Sequence, residues 1–158
     1  MATEIERKFL IKPNFDGSKY PSDDYTQAYL SSVPERSVRI RIANESAYLT
    51  IKGQTDALGL SRYEYEIEID SKEAKNMLAL CEAGMIEKTR YSVIFSGKKF
   101  EVDIFHGENE GLAICEIELK TEDEHFEKPD WLCEEVTGDT RFYNTSIAQN
   151  PFKKNPEF

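Results

Sequence analysis

The sequence predicts an α+β domain dominated by an antiparallel β-sheet or barrel, and three observations support this fold class. Apolar and polar side chains alternate in eight segments, as expected for strands with one apolar and one polar face. These segments follow one another in runs, whereas a βαβ fold would alternate them with helices. The chain has 158 residues, the length of a single domain, with one clear amphipathic helix.

The predicted strands are separated by short turns that contain Gly, Asn or Ser. The segment near the N-terminus alternates cleanly, and the short second segment is the weakest pattern. Lys88 and Arg90 have strand spacing at the start of the sixth strand. In chain order, the predicted strands cover residues 4–11, 27–31, 37–42, 48–52, 62–69, 91–95, 99–105 and 113–120.

Two or three helices are predicted beside the strands. Ser71 is a plausible N-cap for the first helix, in which Ala74, Met77, Leu78 and Cys81 form an apolar stripe that ends before Gly84. A second, short helix is expected from Thr121, because Thr121 and Glu124 have the spacing of a capping box. Pro129 would end it. Residues 144–149 are expected to form one more helical turn.

Composition excludes several classes of protein. The net charge of −10 argues against a general nucleic-acid binder, which usually has a basic face. The longest apolar run is five residues, whereas a membrane span needs about 20. The three cysteines have neither disulfide-framework nor zinc-site spacing, so a cytoplasmic location is expected.

The polar faces of the predicted strands carry almost only charged side chains. An ordinary solvent-exposed face would mix Thr, Ser and Gln with the charges, and exposed ion pairs stabilise a fold only slightly. Like charges also follow one another along single strands, an arrangement more typical of functional sites. If the sheet closes with these faces inward, it forms a charged tunnel. The charged positions are Glu4, Glu6 and Lys8; Arg39 and Arg41; Lys52; Arg62, Glu64, Glu66 and Glu68; Lys88 and Arg90; Glu101 and Asp103; and Glu116, Glu118 and Lys120.

Such a tunnel has a defined chemistry. Arg binds phosphate oxygens in a bidentate fork and Lys binds them as a point charge. Clustered carboxylates provide the hard oxygen ligands that Mg²⁺ and Mn²⁺ prefer. Together they predict the binding of a linear polyphosphate with a divalent metal. The chain contains no Gly-rich phosphate-binding motif.

Several of these segments resemble, in order, the signature of the CYTH family, also called triphosphate tunnel metalloenzymes. Glu4-Ile5-Glu6-Arg7-Lys8 is similar to the family's ExExK motif. The remaining matches are Arg39-Ile40-Arg41, Thr50-Ile51-Lys52, Arg62-Tyr63-Glu64-Tyr65-Glu66, Lys88-Thr89-Arg90-Tyr91, Asp103, Glu116-Ile117-Glu118 and the C-terminal stretch 134–144. The resemblance implies a closed eight-stranded antiparallel barrel with flanking helices. It also implies one tunnel domain over residues 1–150, followed by a tail over 151–158.

The resemblance further implies roles for individual residues. Metal would be held by Glu4, Glu6, Glu64, Glu66, Asp103, Glu116 and Glu118, and the triphosphate by Lys8, Arg39, Arg41, Lys52, Arg62, Lys88 and Arg90. Tyr29 lies in Gln27-Ala28-Tyr29, which has Ala where the family has Gly, and is either a substrate contact or a wall aromatic. The proton of the attacking water would be removed with help from Glu4 and Glu6 or from Lys88.

The function expected from this resemblance is metal-dependent hydrolysis of inorganic triphosphate to pyrophosphate and phosphate, by in-line attack of an activated water. Mg²⁺ or Mn²⁺ would be the cofactor and a small triphosphate the partner. A class IV adenylyl cyclase, a thiamine triphosphatase and a non-catalytic polyphosphate-binding module stay open as alternatives. A homodimer also stays open, because relatives of this kind are often dimers.

Overall fold

The computed structural model describes residues 3–152, which form nine strands and two α-helices. Short 3₁₀ turns at Gly17–Lys19, Gly107–Asn109 and Thr140–Phe142 lie between them. The strands are β1 Thr3–Ile11, β2 Ser22–Ser31, β3 Arg36–Ala43, β4 Ser46–Gly53, β5 Ser61–Ile69, β6 Ile86–Phe95, β7 Lys98–Phe105, β8 Ala113–Glu118 and β9 Leu132–Glu135. The helices are α1 Ser71–Leu78 and α2 Asn144–Gln149.

Strands β1 to β8 close into an antiparallel barrel, which confirms the expected fold class. The order around the barrel is β1-β8-β7-β6-β2-β3-β4-β5, and β5 pairs back onto β1 with Glu4 opposite Arg62. Pairing with β5 occupies only the first residues of β1. The later residues of β1 pair on the same side with β9, where Phe9 faces Glu135.

The ninth strand was not predicted, and the helix expected from Thr121 is wrong. The Glu124 side chain accepts from the backbone amide of Lys120 at 2.6 Å, so it caps a turn and does not start a helix. Beyond this turn, Phe126 packs edge-to-face on Phe9 and Phe100. The segment therefore runs across the barrel surface, where the Phe126 ring packs, and ends in β9.

Helix α1 covers one outer side of the barrel. Asp70, not the expected Ser71, is its N-cap, and the Asp70 carboxylate accepts from the backbone amide of Glu73 at 3.0 Å. The predicted apolar stripe packs on the outer faces of β3 and β4. The helix ends at Leu78, well before Gly84. Gly84 instead has a φ of 105° and lies directly beneath α2.

The barrel is inverted over most of its length, because its apolar residues face outward. A large cluster around Phe9, Phe100 and Trp131 lies between the outer wall and the segment that leads to β9. The interior is apolar only at one end. There Phe142, Ile147 and other C-terminal residues pack on the inward-facing ends of β2, β6, β7 and β8 and close the barrel. The tunnel is therefore charged in its middle and blocked at one end.

Other sequence-based expectations concern the tail, the membrane and the cysteines. Residues 153–158 of the predicted tail lie outside the described residues, whereas the Phe152 amide donates to the Asn109 side chain at 2.8 Å. Within residues 3–152, no helix combines the length and apolarity needed to cross a bilayer. All three cysteines lie in this range and are free thiols.

Candidate active site

The register of the barrel directs the charged side chains to one face. Antiparallel partners point to the same side of a sheet, and alternate residues along each strand do the same. Lys8 is opposite Glu116, Glu101 is also opposite Glu116, and Arg90 is opposite Asp103. Thr50 is opposite both Arg39 and Glu66. Charged residues that belong to separate motifs in the sequence therefore lie together inside one tunnel.

The tunnel contains a cavity of about 210 Å³. Its walls carry seven carboxylates and four cationic side chains, with almost no apolar surface. The lining residues are Glu4, Glu6, Tyr25, Arg39, Arg41, Lys52, Glu64, Glu66, Arg90, Glu101, Glu116, Glu118 and Asn144. Of the predicted site residues, Lys8, Tyr29, Arg62, Lys88 and Asp103 lie outside this lining.

Glu4 lies at the seam where β5 closes onto β1. Lys52 Nζ is 3.0 Å from one Glu4 oxygen and 3.1 Å from the other, and Arg62 Nε donates to Glu4 at 3.2 Å. Burial alone would raise the pKa of Glu4, but Lys52, a hydrogen bond with Glu64 and Arg62 overcome it and lower the pKa to about 2. Lys52 also contacts Glu64 at 3.2 Å. Burial and Glu4 raise the pKa of Glu64, so the ionised centre of this corner is Glu4 with its two cations.

Asp103 joins two cations on the opposite wall. Arg90 holds its carboxylate in a bidentate fork at 2.7 and 2.8 Å, and Lys88 Nζ is 2.8 Å away. Lys88 and Asp103 are each 1% exposed. Burial lowers the pKa of Lys88 to about 8 against the opposing pull of Asp103. Asp103 is thus a buried counter-ion of Lys88 and Arg90, and its expected metal role stays a prediction.

Arg39 and Arg41 lie side by side on β3. They share Glu66, whose carboxylate oxygen is 3.6 Å from Arg39 Nη2 and 3.4 Å from Arg41 Nη2. Thr50 donates to the same oxygen at 2.7 Å. Burial and the positive charge of its arginine neighbours lower the pKa of Arg41. Because the two guanidinium groups share one carboxylate, an added anion would stabilise their positive charges.

The carboxylates of Glu6 and Glu116 form a like-charged pair. Burial, together with Glu116 and Glu4, raises the pKa of Glu6 well above its ordinary value. Glu6 hydrogen-bonds to Glu116, whose own pKa is held low by Lys8 and Arg90 despite burial. The two pKa values therefore move in opposite directions, so the neutral form is favoured for Glu6 and the ionised form for Glu116. Nearby, burial and Glu4 raise the pKa of Glu118.

This donor set fits a hard divalent cation chemically, because carboxylates outnumber cationic side chains along the cavity wall. Across residues 3–152, however, no three acidic, His or Cys side chains are close enough to form a ready metal cluster. Glu4, Glu64 and Glu66 contact cations, and Lys8 and Arg90 compensate Glu116. Glu6 and Glu118, whose pKa values are raised, are the least compensated. Six of the seven predicted metal ligands thus line one cavity, Asp103 lies outside its lining, and the six are not arranged around a common point.

The C-terminal segment forms the closed end of the site. Lys8 Nζ donates to the Phe142 carbonyl at 3.2 Å and lies 5.1 Å from the centre of the Tyr143 ring. Lys88 Nζ donates to Asn144 Oδ1 at 3.3 Å. A small cavity behind the main one is lined by Tyr29, Tyr143 and Asn144, among others. Tyr29 is therefore near the end wall, and its role as a substrate contact stays a prediction.

Sequence reasoning missed four residues of the site. Tyr25 lies between two cations, with the Arg41 and Arg90 guanidinium carbons 4.7 and 5.1 Å from its ring centre. It was missed because the second strand was started at Gln27, two residues too late to include it. Thr50 could have been found from its alternation with Lys52. Tyr143 and Asn144 lie in the matched C-terminal stretch 134–144, but the resemblance gave them no role, because their place depends on the return of the C-terminus to the barrel.

Comparisons with known proteins agree with this geometry. The model of the family described as "CYTH domain" matches residues 2–143. The chain is 47% identical to an inorganic triphosphatase of Acetivibrio thermocellus, over 97% of each sequence. It is 38% identical to an inorganic triphosphatase of Nitrosomonas europaea, over 92% of this chain and 97% of the relative. The crystal structure of the inorganic triphosphatase NE1496 superposes with a TM-score of 0.67 at 35% identity, covering 92% and 97% of the two chains.

Proposed function

This chain belongs to the CYTH domain family, and on that basis we propose that it is an inorganic triphosphatase. The reaction is hydrolysis of tripolyphosphate to pyrophosphate and phosphate. One observation supports this function above all others: a single cavity inside the barrel brings together carboxylates and phosphate-binding cations. Inorganic triphosphatases from two organisms match nearly the whole chain at 47% and 38% identity, in support of the same activity.

The cations of the tunnel would bind the substrate. Arg39, Arg41, Lys52 and Arg90 line the cavity, and each is paired with a carboxylate of this chain. A triphosphate would take over part of these interactions, since phosphate oxygens accept the same charge-assisted hydrogen bonds. Phosphoryl transfer depends mainly on positioning and charge stabilisation, which fixed groups on a closed barrel provide. We propose that Lys8, Arg62 and Lys88, which lie outside the lining of the main cavity, also contribute to binding the triphosphate.

The carboxylates would hold a divalent cation, which we propose to be Mg²⁺ or Mn²⁺. Glu6, Glu116 and Glu118 are the best candidates, because Glu6 and Glu118 have the weakest compensation from cations and Glu116 is an ionised carboxylate beside Glu6. Bound there, the metal would polarise a phosphoryl oxygen and offset the repulsion between carboxylates and phosphate. Selectivity for the triphosphate would come from the arginine and lysine side chains of the tunnel.

Proton removal from the attacking water has two candidate acceptors. The raised pKa of Glu6 makes its carboxylate a better base than an ordinary acid, whereas Lys88 is engaged with Asp103 and Asn144. We therefore favour Glu6 over Lys88, whereas Glu4, whose pKa is lowered to about 2, is a weak base. The pH–rate profile of Lys88→Met should retain the ascending limb of the unchanged protein. Loss of that limb in the variant would make Lys88 the base.

A substrate panel tests the proposed function. Purified protein is assayed with tripolyphosphate, ATP and thiamine triphosphate, each in Mg²⁺ and in Mn²⁺. We expect orthophosphate release mainly from tripolyphosphate, and its loss in Glu116→Gln but not in Glu134→Gln, which replaces an exposed glutamate of β9. Cyclic AMP from ATP would identify a cyclase. Binding of tripolyphosphate without turnover would identify a binding module.

Two further expectations stay predictions. The free thiols Cys81, Cys115 and Cys133 support the expected cytoplasmic location, because a reducing compartment keeps thiols unpaired. A homodimer is checked by light scattering during size-exclusion chromatography, where a monomer would give a mass of 18.2 kDa.

A further inference from the structure

Four buried polar side-chain atoms have no hydrogen-bond partner within residues 3–152. They are Nε2 and Oε1 of Gln27, Nε of Arg39 and Nε of Arg41. All four belong to the paired strands β2 and β3, where Gln27 lies opposite Arg41 and Tyr29 lies opposite Arg39. These unsatisfied atoms therefore form one patch on one wall of the tunnel.

Gln27 lies on β2 between two residues that line the two cavities of the site, and it is itself in neither lining. Residues two positions away share its face of β2. On one side Tyr25 lines the main cavity, and on the other Tyr29 lines the smaller cavity at the closed end. Gln27 itself is 0% exposed. Its partner on β6 is Ile86, whose side chain offers no hydrogen bond.

A buried amide without a partner is unfavourable for folding. Its polar atoms lose their hydrogen bonds to water, and an apolar residue of similar shape would avoid that cost. Stability alone would therefore favour Leu or Met at position 27. A neighbouring pair of arginines with unused donors points to an anion as the missing partner, since both guanidinium groups and the amide nitrogen donate hydrogen bonds.

We propose that Gln27 is a further substrate-binding residue, whose amide nitrogen donates to the phosphate chain held by Arg39 and Arg41. The amide oxygen accepts from the guanidinium group of Arg41, its cross-strand neighbour, once that group turns to the phosphate. This inference rests on the proposed function, because it names another contact of the same triphosphate site.

The test compares Gln27→Met with Gln54→Met, a control that replaces an exposed loop glutamine. Thermal unfolding is measured without ligand and with tripolyphosphate, and KM and kcat are measured for tripolyphosphate. For Gln27→Met we expect an equal or higher unfolding temperature without ligand, because the unsatisfied amide is gone. We also expect a smaller ligand-induced shift and a KM raised about tenfold, as for loss of one hydrogen bond to a charged group. The control should behave as the unchanged protein.

A second variant keeps the test decisive if Gln27→Met does not fold. Gln27→Glu has the same shape, and its carboxylate would occupy the two arginines and repel phosphate, so KM should again rise at least about tenfold. Unchanged KM in whichever variant folds would overturn the role of Gln27 and leave the proposed function intact. If the unchanged protein neither binds nor hydrolyses tripolyphosphate, both proposals fail. If it binds without turnover, only the proposed function fails, and the ligand-induced shift decides the role of Gln27.

Discussion

At the scale of single residues, Glu4 shows how ion pairs inside the tunnel lower the pKa of a buried carboxylate. Its pKa is lowered to about 2 by Lys52 and Arg62, against the effect of burial. A carboxylate with a lowered folded-state pKa stabilises the fold above its unfolded pKa, and this contribution is lost as the pH falls through the folded value. The ordinary value is 4.5, so the loss occurs between pH 4.5 and 2.

Glu4→Gln should therefore lower the free energy of unfolding at neutral pH by about 3 kcal/mol. The difference from the unchanged protein should shrink as pH falls below 4.5, because Glu4 then becomes protonated in the unfolded state. Urea unfolding at a series of pH values measures it. Glu45→Gln, at an exposed turn, is the control and should show a small difference at every pH. A constant gap for Glu4→Gln would contradict the assigned ion pairs.

Asp103 makes a second prediction at this scale. Asp103→Asn leaves the buried ammonium of Lys88 without its counter-ion, and removal of one partner from a buried pair typically costs about 3–5 kcal/mol. The unfolding free energy should fall by that amount. Asp139→Asn removes the charge of an exposed pair with Arg141 and should cost less than about 1 kcal/mol. Equal losses in the two variants would show that the Asp103 cluster is not desolvated.

At the scale of elements, the C-terminal helix α2 closes the tunnel because it fits against Gly84. A Cβ at position 84 would lie 1.9 Å from the Ala148 carbonyl oxygen, and φ is 105°. Gly97 also has a positive φ of 77°, but nothing lies within 4 Å of its Cβ position. Both glycines thus have a positive φ, but an added Cβ would clash with a neighbour only at Gly84.

Gly84→Ala should consequently lose about 2 kcal/mol more stability than Gly97→Ala, since only the first variant displaces a packed element. Urea unfolding of both variants gives the comparison. Gly84→Ala should also weaken turnover, because Asn144 and Tyr143 would shift with the helix. Similar stability losses would mean that α2 does not rest on Gly84.

The sequence predicted elements well where local patterns decide them. The charged, alternating strands from β3 to β5 and the stripe of α1 follow from side-chain spacing alone. The segment from Thr121 has a capping-box pattern, yet its conformation is set by burial of Phe126 on the barrel. Strand β9 has only four residues and forms because β1 offers a free edge beyond β5. Such tertiary effects leave no local signal.

At the scale of the whole molecule, the fold separates two kinds of surface. Most of the apolar core lies outside the barrel wall, under α1 and the segment that leads to β9, and the charges lie inside. The alternation of the strands predicted which side chains share a face. It could not predict which acids pair with which bases, because the cross-strand register depends on closure of the whole barrel.

Removal of divalent metal provides a prediction for the whole molecule. A chelator should abolish tripolyphosphate hydrolysis, and Mg²⁺ or Mn²⁺ should restore it, since the carboxylates alone repel the substrate. The fold should survive, because Glu4, Glu66 and Asp103 have internal cations as partners. Far-ultraviolet circular dichroism with and without chelator checks the fold. Unfolding on chelation would instead indicate a structural metal.

The central claim is that the inner face of the barrel binds and cleaves the triphosphate. The most direct test is kcat/KM for tripolyphosphate in Lys52→Met, inside the tunnel, and in Lys72→Met, on the exposed face of α1. Loss of a charge-assisted contact to phosphate should lower kcat/KM by at least about tenfold in Lys52→Met. Lys72→Met should match the unchanged protein. Full activity of Lys52→Met, or equal losses in both variants, would contradict the assignment of the tunnel as the active site.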